Sequence, residues 1–410
     1  MSEAFSYRAD VLHCADVPLT ELAEAVGTPL YVYSAERMRA NVERVRAAFA
    51  PLGATLHYSL KANANLALLR LLHSLDLGAD AVSGGEIERA IYAGFPPQRI
   101  VFAGVGKTPA ELAYALDVGV GWFNVESRDE LRTLDRLAGE RGVRPNVALR
   151  LNPGIRAQTH AHIATGHLGA KFGMAAEVVA ELLAERAAYP HVHIGGLHIH
   201  IGSQLADVAE TVQAVRAAQA LAAPYADVRV LNVGGGIPVP YRADAPLPTP
   251  QDFADALAPL LRGWRVKLEP GRSVVADAGA LLVSVIRVKR QGGRRFVVTD
   301  GSMAELLRPA LYGAQHPIVP LRRSEKATEA AAVVGPVCES TDVLSQDAPL
   351  PPLRAGDGLA VLVAGAYGMV MASNYNMRPR PPEVLVEGAR WRVVRRRETW
   401  ADLRRLEVET

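Results

Sequence analysis

The sequence predicts an α/β fold, a (β/α)8 TIM barrel of eight parallel strands, followed by an all-β C-terminal domain. From about residue 30, short apolar runs alternate with longer amphipathic stretches, the pattern of βα units around a parallel sheet. After Arg272 this gives way to alternating strands separated by Gly and Pro turns. Length agrees: 410 residues exceed one ordinary core, at about 150 residues per domain, and suit a barrel plus one smaller domain.

Eight strand candidates fall at 55–60, 79–83, 99–103, 122–125, 146–151, 193–199, 228–233 and 265–268. Between them, 67–75, 86–93, 127–141 and 206–221 carry helical apolar periodicity in stretches rich in Ala, Leu, Glu and Arg. In the β region the strand patterns are 281–290, 294–300, 358–365 and 390–398, while 326–352, with its Ala-rich stretch and APLPP run, has the weakest signal. The division expected is an N-terminal segment 1–27 joining the β domain, a barrel at 28–271 and the β domain at 272–410.

Hydrophobic residues make up 49% and charged residues 21%, an ordinary globular balance that argues against disorder. Forty-five Lys and Arg against 43 Asp and Glu leave a formal charge of +2, so nothing draws the whole chain to nucleic acid or anionic lipid. Arg395-Arg396-Arg397 reads as a solvated strand edge. Cys14 and Cys338 offer no disulfide framework. With neither a secretory leader nor an apolar run of membrane length visible, a cytoplasmic protein is expected.

The distinctive polar and glycine motifs follow predicted strands, at the C-terminal mouth where barrel enzymes keep their sites. HYSLKANAN places Lys61 at the end of the first strand. Read alone it is a surface lysine; facing a barrel mouth, it would be a desolvated amine able to attack an aldehyde. SGGE at 83–86 and SRDE at 127–130 fit capping boxes. In HVHIGGLHIHIGSQ, His198 and His200 share one face by strand alternation. Zinc ligation, ring stacking and a core histidine all fit them, although no clear third and fourth ligand accompanies the pair. The seventh strand ends in LNVGGGIP and the eighth in LEPGR, the customary phosphate position of such barrels, with Arg272 to add a charged contact. Together with Lys61, a histidine and Glu269, the set suits a phosphorylated aldehyde cofactor whose ring nitrogen is held protonated.

These motifs, with NPG, KFG, DGSMAELLRPALYGAQH, GPVCES and GAYGMVMASNYNMRPRPPEVLV, come in an order that resembles the fold-type III pyridoxal-phosphate decarboxylases from about residue 25 to 390. The likeness is strongest to the branch acting on diaminopimelate. The glycine loop reads GGGIPVPY where that branch usually reads GGGLGIPY, with the three glycines intact. The resemblance implies an alanine-racemase-like barrel, pyridoxal 5′-phosphate as cofactor and Lys61 as its Schiff-base lysine. It implies His200 stacked on the ring, Glu269 on the ring nitrogen, and Ser203, Gly234, Gly235, Gly236, Gly271, Arg272 and Tyr367 around the phosphate. Cys338 would donate the proton at the α-carbon, and Cys338 and Glu339 would reach the partner's site in a homodimer. No metal is implied.

Decarboxylation of meso-diaminopimelate to L-lysine and CO2 is the activity expected. Its distal carboxylate and ammonium call for a cation and an anion, which Arg308, Tyr312 and Glu339 supply, with Arg272 and Tyr367 assisting. An ornithine decarboxylase would present Asp after the cysteine and lack this arginine. Decarboxylases of arginine or carboxynorspermidine, a non-catalytic cofactor-binding protein, a racemase and a zinc hydrolase are the alternatives.

Overall fold

The computed structural model describes residues 4–155, 166, 169–241 and 246–408. The chain forms two compact units, one of Val42–Val239 and Pro246–Ser273, the other of Met1–Asn41, Pro240–Ala245 and Val274–Thr410.

The first unit is a closed barrel of parallel strands: Thr55–Ser59, Gly78–Ala81, Ile100–Phe102, Trp122–Val125, Asn146–Leu151, His193–Ile199, Val230–Asn232 and Arg265–Leu268. The last strand closes the ring by pairing Lys267 with Thr55 and Leu268 with Leu56. Closure leaves no strand edge to be guarded. Helices between the strands start at side-chain caps: Ser83, Thr108, Ser127 and Thr249 each accept the backbone N–H three residues on. Helix Arg128–Arg141 shows why these segments dock: Leu131, Leu134, Leu137 and Ala138 form one apolar stripe and are buried. Each leucine so buried contributes about 1.5–3 kcal/mol.

Several buried strand positions are polar. Asp80, Asn124, Arg150, His198 and Asn232 all lie inside strands and are almost fully buried. A buried polar group needs a partner, so these positions mark where the barrel is specialised.

The second unit holds a sheet in the order Val343–Leu350, Glu329–Val334, Arg294–Thr299, Gly279–Gln291, Leu30–Ser34, Glu383–Glu387, Arg390–Arg395, joined by Gly358–Val361 and Ile318–Pro320. Leu30–Ser34 pairs antiparallel with Gly279–Gln291 and parallel with Glu383–Glu387. That pairing draws residues 28–41 out of the barrel segment suggested by patterning. Residues 326–352 supply two antiparallel strands despite their alanines, because partners on both sides outweigh helix propensity. The expected strand 358–365 stops at Val361, and Val363 takes a positive φ of 57° that no strand continues.

The arginine run also differs from expectation. Arg390–Arg395 is an edge strand, yet of the three arginines only Arg396 is exposed. Arg395 ion-pairs with the buried Glu383, and Arg397 donates to the Pro29 carbonyl at 3.0 Å. A buried carboxylate demands a cation, and the edge strand provides it. Cys14 is buried, Cys338 is exposed, and both are free thiols. Among the described residues, no helix is long and apolar enough to cross a membrane.

Candidate active site

The first barrel strand runs into a single 3-10 turn, Leu60–Ala62, which sets Lys61 just beyond the strand's C-terminal end. Asn65 caps the following helix by accepting the Ala67 N–H at 2.9 Å, which fixes the exit from this turn. Lys61 Nζ lies 3.2 Å from Asp80 Oδ2, and Ser59 Oγ donates to the same oxygen at 2.7 Å. The lysine side chain is 36% exposed and the aspartate fully buried, so the desolvated member of the pair is Asp80 rather than Lys61. Burial pushes the Asp80 carboxyl up and Glu269 adds to this, against the pull of Lys61 and Ser59.

Glu269 is the focus of the barrel interior. Its Oε1 accepts from Asn124 Nδ2 at 3.0 Å and Asn232 Nδ2 at 2.6 Å, and its Oε2 lies 3.3 Å from His198 Nε2. Burial would raise this carboxyl, but His198, Lys61 and His200 outweigh it and hold the group below the usual carboxylate range. The result is a buried carboxylate that stays ionised at neutral pH.

His198 and His200 do not act as a pair. The strand ends at Ile199, so His198 points to Glu269 inside the barrel while His200 lies beyond the strand. His200 Nδ1 accepts the Gly235 N–H at 3.2 Å. Burial, then Lys61 and Arg150, hold the imidazole well below its ordinary value and therefore neutral.

Around the glycine loop the structure accommodates an anion. Gly234 has φ +69°, and a Cβ on Gly235 would sit 2.5 Å from the Glu269 carbonyl oxygen, so only glycine fits this path. Arg272 is buried, with Nε donating to Ser203 Oγ at 3.1 Å, and Gly271 before it packs against Ser59. Next to Arg272, the buried Ser273 hydroxyl has no hydrogen-bond partner. The glycine path with the Arg272–Ser203 pair is a donor set for phosphate, the orphan Ser273 hydroxyl follows Arg272 in sequence, and Lys61 and Glu269 complete the set for a phosphorylated pyridine aldehyde.

The other expected residues belong to the strand-rich unit. Arg308 opens the short helix Arg308–Tyr312 and is only 6% exposed. Its Nη1 is 2.9 Å from His316 Nε2, and its guanidinium lies 4.7 Å from the centre of the Tyr241 ring. Tyr312 is half-buried. The turn bearing Cys338 and Glu339 is fixed by Asp342, whose carboxylate accepts the N–H groups of Val337 at 2.8 Å and Met303 at 2.6 Å. Both Cys338 and Glu339 are exposed, and the Cys338 N–H donates to Asn376 Oδ1 at 2.8 Å. Tyr367 is held at a positive φ of 55°, a strained state for a non-glycine residue that costs about 1–3 kcal/mol.

Residues 35–276 match the family model described as the pyridoxal-dependent decarboxylase pyridoxal binding domain. The chain belongs to the pyridoxal-dependent decarboxylases. It is 42% identical to a diaminopimelate decarboxylase of Aquifex aeolicus across 96% of this chain and 95% of that one. It is 41% identical to one of Zymomonas mobilis across 98% and 97%. Among solved structures, diaminopimelate decarboxylase from M. jannaschii in complex with L-lysine superposes with a TM-score of 0.95 at 36% identity, covering 100% of this chain and 98% of that one. A Vibrio vulnificus lysine/ornithine decarboxylase shares the fold at 23% identity, a TM-score of 0.78 and coverage of 90% and 98%.

Within this decarboxylase the sequence reading passed over Asp80, Asn124 and Asn232. Their signal was a polar residue interrupting a short apolar strand, in GADA, WFNV and VLN. The two capping boxes are also only half formed. Ser83 and Ser127 cap as expected, but Glu86 reaches back to the Val82 N–H at 2.8 Å and Glu130 to the Glu126 N–H at 3.0 Å, each one residue before the cap. Glu130 also takes the buried Lys107 Nζ at 2.6 Å.

Burial pushes Glu86 up to about 7, against the Val82 N–H and with Asp80 adding to the rise. The folded state thus binds this proton more tightly than the unfolded chain. That stability is full below about pH 4.5 and is lost as pH rises through about 7, up to a limit of about 3 kcal/mol. Glu86→Gln is expected to raise the melting midpoint of the cofactor-free protein at pH 8 by more than at pH 5. Equal shifts in thermal denaturation at the two pH values would contradict this.

Proposed function

We propose that this decarboxylase converts meso-diaminopimelate to L-lysine and CO2, with Lys61 as the amine that holds pyridoxal phosphate covalently. Near-full-length identity of 41–42% to diaminopimelate decarboxylases carries the reading. When bound, the cofactor supplies an electron sink for the pair left by the departing carboxylate.

The chain's own groups divide the remaining work. Asp80 holds the Lys61 ammonium in the cofactor-free chain and would take it back once the substrate amine has displaced it. Glu269, kept anionic by Asn124, Asn232 and His198, would hold the proton on the ring nitrogen. His200, a neutral imidazole, would stack on the ring without adding a competing charge. Ser203, Gly234, Gly235, Gly236, Gly271 and Arg272 would take the phosphate, with Tyr367 assigned to the same shell by the family resemblance. Arg308, held by His316 and Tyr241, is prepared for the distal carboxylate, with Tyr312, Arg272 and Tyr367 assisting, and Glu339 for the distal ammonium. Cys338 Sγ would hold the proton that replaces the lost carboxylate.

We also propose a cytoplasmic homodimer with shared sites. Free Cys14 and Cys338 suit a reducing compartment. Tyr375 and Met377 expose apolar side chains on either side of Asn376, which anchors Cys338, and a second copy would cover them.

The deciding experiment measures CO2 release by the purified holoenzyme from meso-diaminopimelate, ornithine, arginine and lysine in parallel. Release from meso-diaminopimelate alone is expected, and release from ornithine alone refutes the reading. Arg308→Ala is expected to raise KM about 10- to 100-fold, the loss of one charged contact of about 1.5–3 kcal/mol, with cofactor absorbance retained. Unchanged kinetics in that variant would remove Arg308 from substrate recognition.

A further inference from the structure

The arginine assigned to the distal carboxylate is met by a histidine from its own stretch of chain. Arg308 opens the helix Arg308–Tyr312, Gly313 reverses the chain at φ 61°, and His316 returns so that its Nε2 lies 2.9 Å from Arg308 Nη1. His316 is also held from behind. Its Nδ1 lies 3.0 Å from the Leu362 carbonyl, while the Leu362 N–H donates to the Pro317 carbonyl at 2.8 Å. These contacts run on into the strand pair Ile318–Pro320 and Gly358–Val361, which fixes the imidazole to the sheet.

A carbonyl can only accept, so the ring proton of His316 sits on Nδ1, and Nε2 turns a lone pair to Arg308. The imidazole is thereby neutral. Tyr241 completes the setting: its ring centre lies 4.7 Å from the Arg308 guanidinium, and it meets the His316 ring edge to face at 5.2 Å and 84°. Both of these contacts to the guanidinium come from uncharged groups. Elsewhere in the same unit, Arg37 Nη2 meets the Asp277 carboxylate at 2.6 Å, and Arg395 meets Glu383. A carboxylate fixes an arginine and neutralises it; a lone pair and a ring face fix it without taking its charge.

We propose that His316 is a positioning residue for substrate choice: its neutral acceptor aims Arg308 without cancelling the charge, and so sets the preference for ligands that carry a distal carboxylate. The proposal rests on the assignment of Arg308 to that carboxylate. His316 makes and breaks no bond. What it sets is a ratio of two affinities, for a ligand with the carboxylate and for one without it.

The test titrates holoenzyme with L-lysine and with cadaverine, which differ by one carboxylate, and reads both dissociation constants from cofactor absorbance. Wild type is expected to prefer L-lysine. His316→Gln can accept from Arg308 through its oxygen and donate to Leu362 through its nitrogen, and should keep that preference within about threefold. His316→Glu puts a negative charge where the lone pair was. It should reduce the preference about 10- to 100-fold, the scale of one charged contact, by weakening L-lysine while cadaverine changes little. A role in stability alone would move both ligands together, or glutamine and glutamate alike. Equal lysine-to-cadaverine ratios in the two variants overturn the proposal, and so does a wild type without preference. If the glutamate variant does not fold, His316→Ala takes its place, with a several-fold loss of preference expected and an unchanged ratio decisive against. CO2 release from meso-diaminopimelate by wild type is measured alongside. Its absence refutes the substrate assignment, whereas normal release with equal ratios refutes only the role of His316.

Discussion

Lys61→Ala is expected to lower kcat by about 1,000-fold or more, because the covalent attachment and exchange of the cofactor depend on this one amine. The fold should survive. The Lys61 side chain is part-exposed, and the carboxylate it leaves behind, Asp80, is already biased by burial toward its protonated form. Asp80 can take up a proton instead of remaining an unpaired buried anion, which limits the cost to about 1–3 kcal/mol. Lys61→Arg separates the two roles: it can keep the contact to Asp80 but cannot form the covalent link. It should therefore be as inactive as the alanine variant and closer to wild type in melting midpoint. Steady-state kinetics, absorbance spectra and thermal denaturation of the three proteins provide the check. An alanine variant retaining more than about a tenth of kcat would remove Lys61 from its assigned role.

Glu269→Gln is expected to cost about 100- to 1,000-fold in kcat, the range for losing one preorganised charge contact in an enclosed site. The amide keeps the side-chain volume and can still accept from Asn124 and Asn232 through one oxygen. What it loses is the negative charge. Folding should respond as well. Because the native carboxyl is held below its ordinary value, its contribution to stability is present above about pH 4.5 and is lost as pH falls through the folded value. The glutamine variant should therefore lose stability at neutral pH and show a shallower decline on acidification. Wild-type kcat in Glu269→Gln would show that the ring nitrogen does not depend on this charge.

The barrel was legible in the sequence because its strands are short apolar runs set at regular spacing, and Lys61, the triple glycine and Arg272 stand out at their ends. The partners of those residues were not. Asp80, Asn124 and Asn232 lie within buried strands, where a single polar residue gains meaning only once the barrel closes and directs it inward. Leu30–Ser34 was grouped with the barrel because a buried central strand has the same composition in either sheet, and only the pairing with residues 279–291 and 383–387 distinguishes the two. Glu86 and Glu130 were one residue out: sequence spacing located the helix starts but not which of two adjacent N–H groups each carboxylate would choose.

That early strand has a consequence for how the molecule is made. Tyr33 and Glu383 share a buried hydrogen bond of 2.8 Å across 350 residues of chain. At roughly 5–20 residues per second on the ribosome, the N-terminal strand waits about 20–70 s for its parallel neighbour to be synthesised. The barrel, whose strands are all complete by Leu268, can close in the interval, while Leu30–Ser34 remains an apolar segment with an unpaired edge. Nascent chains halted before residue 383 should thus be the forms most dependent on chaperones and most prone to aggregate.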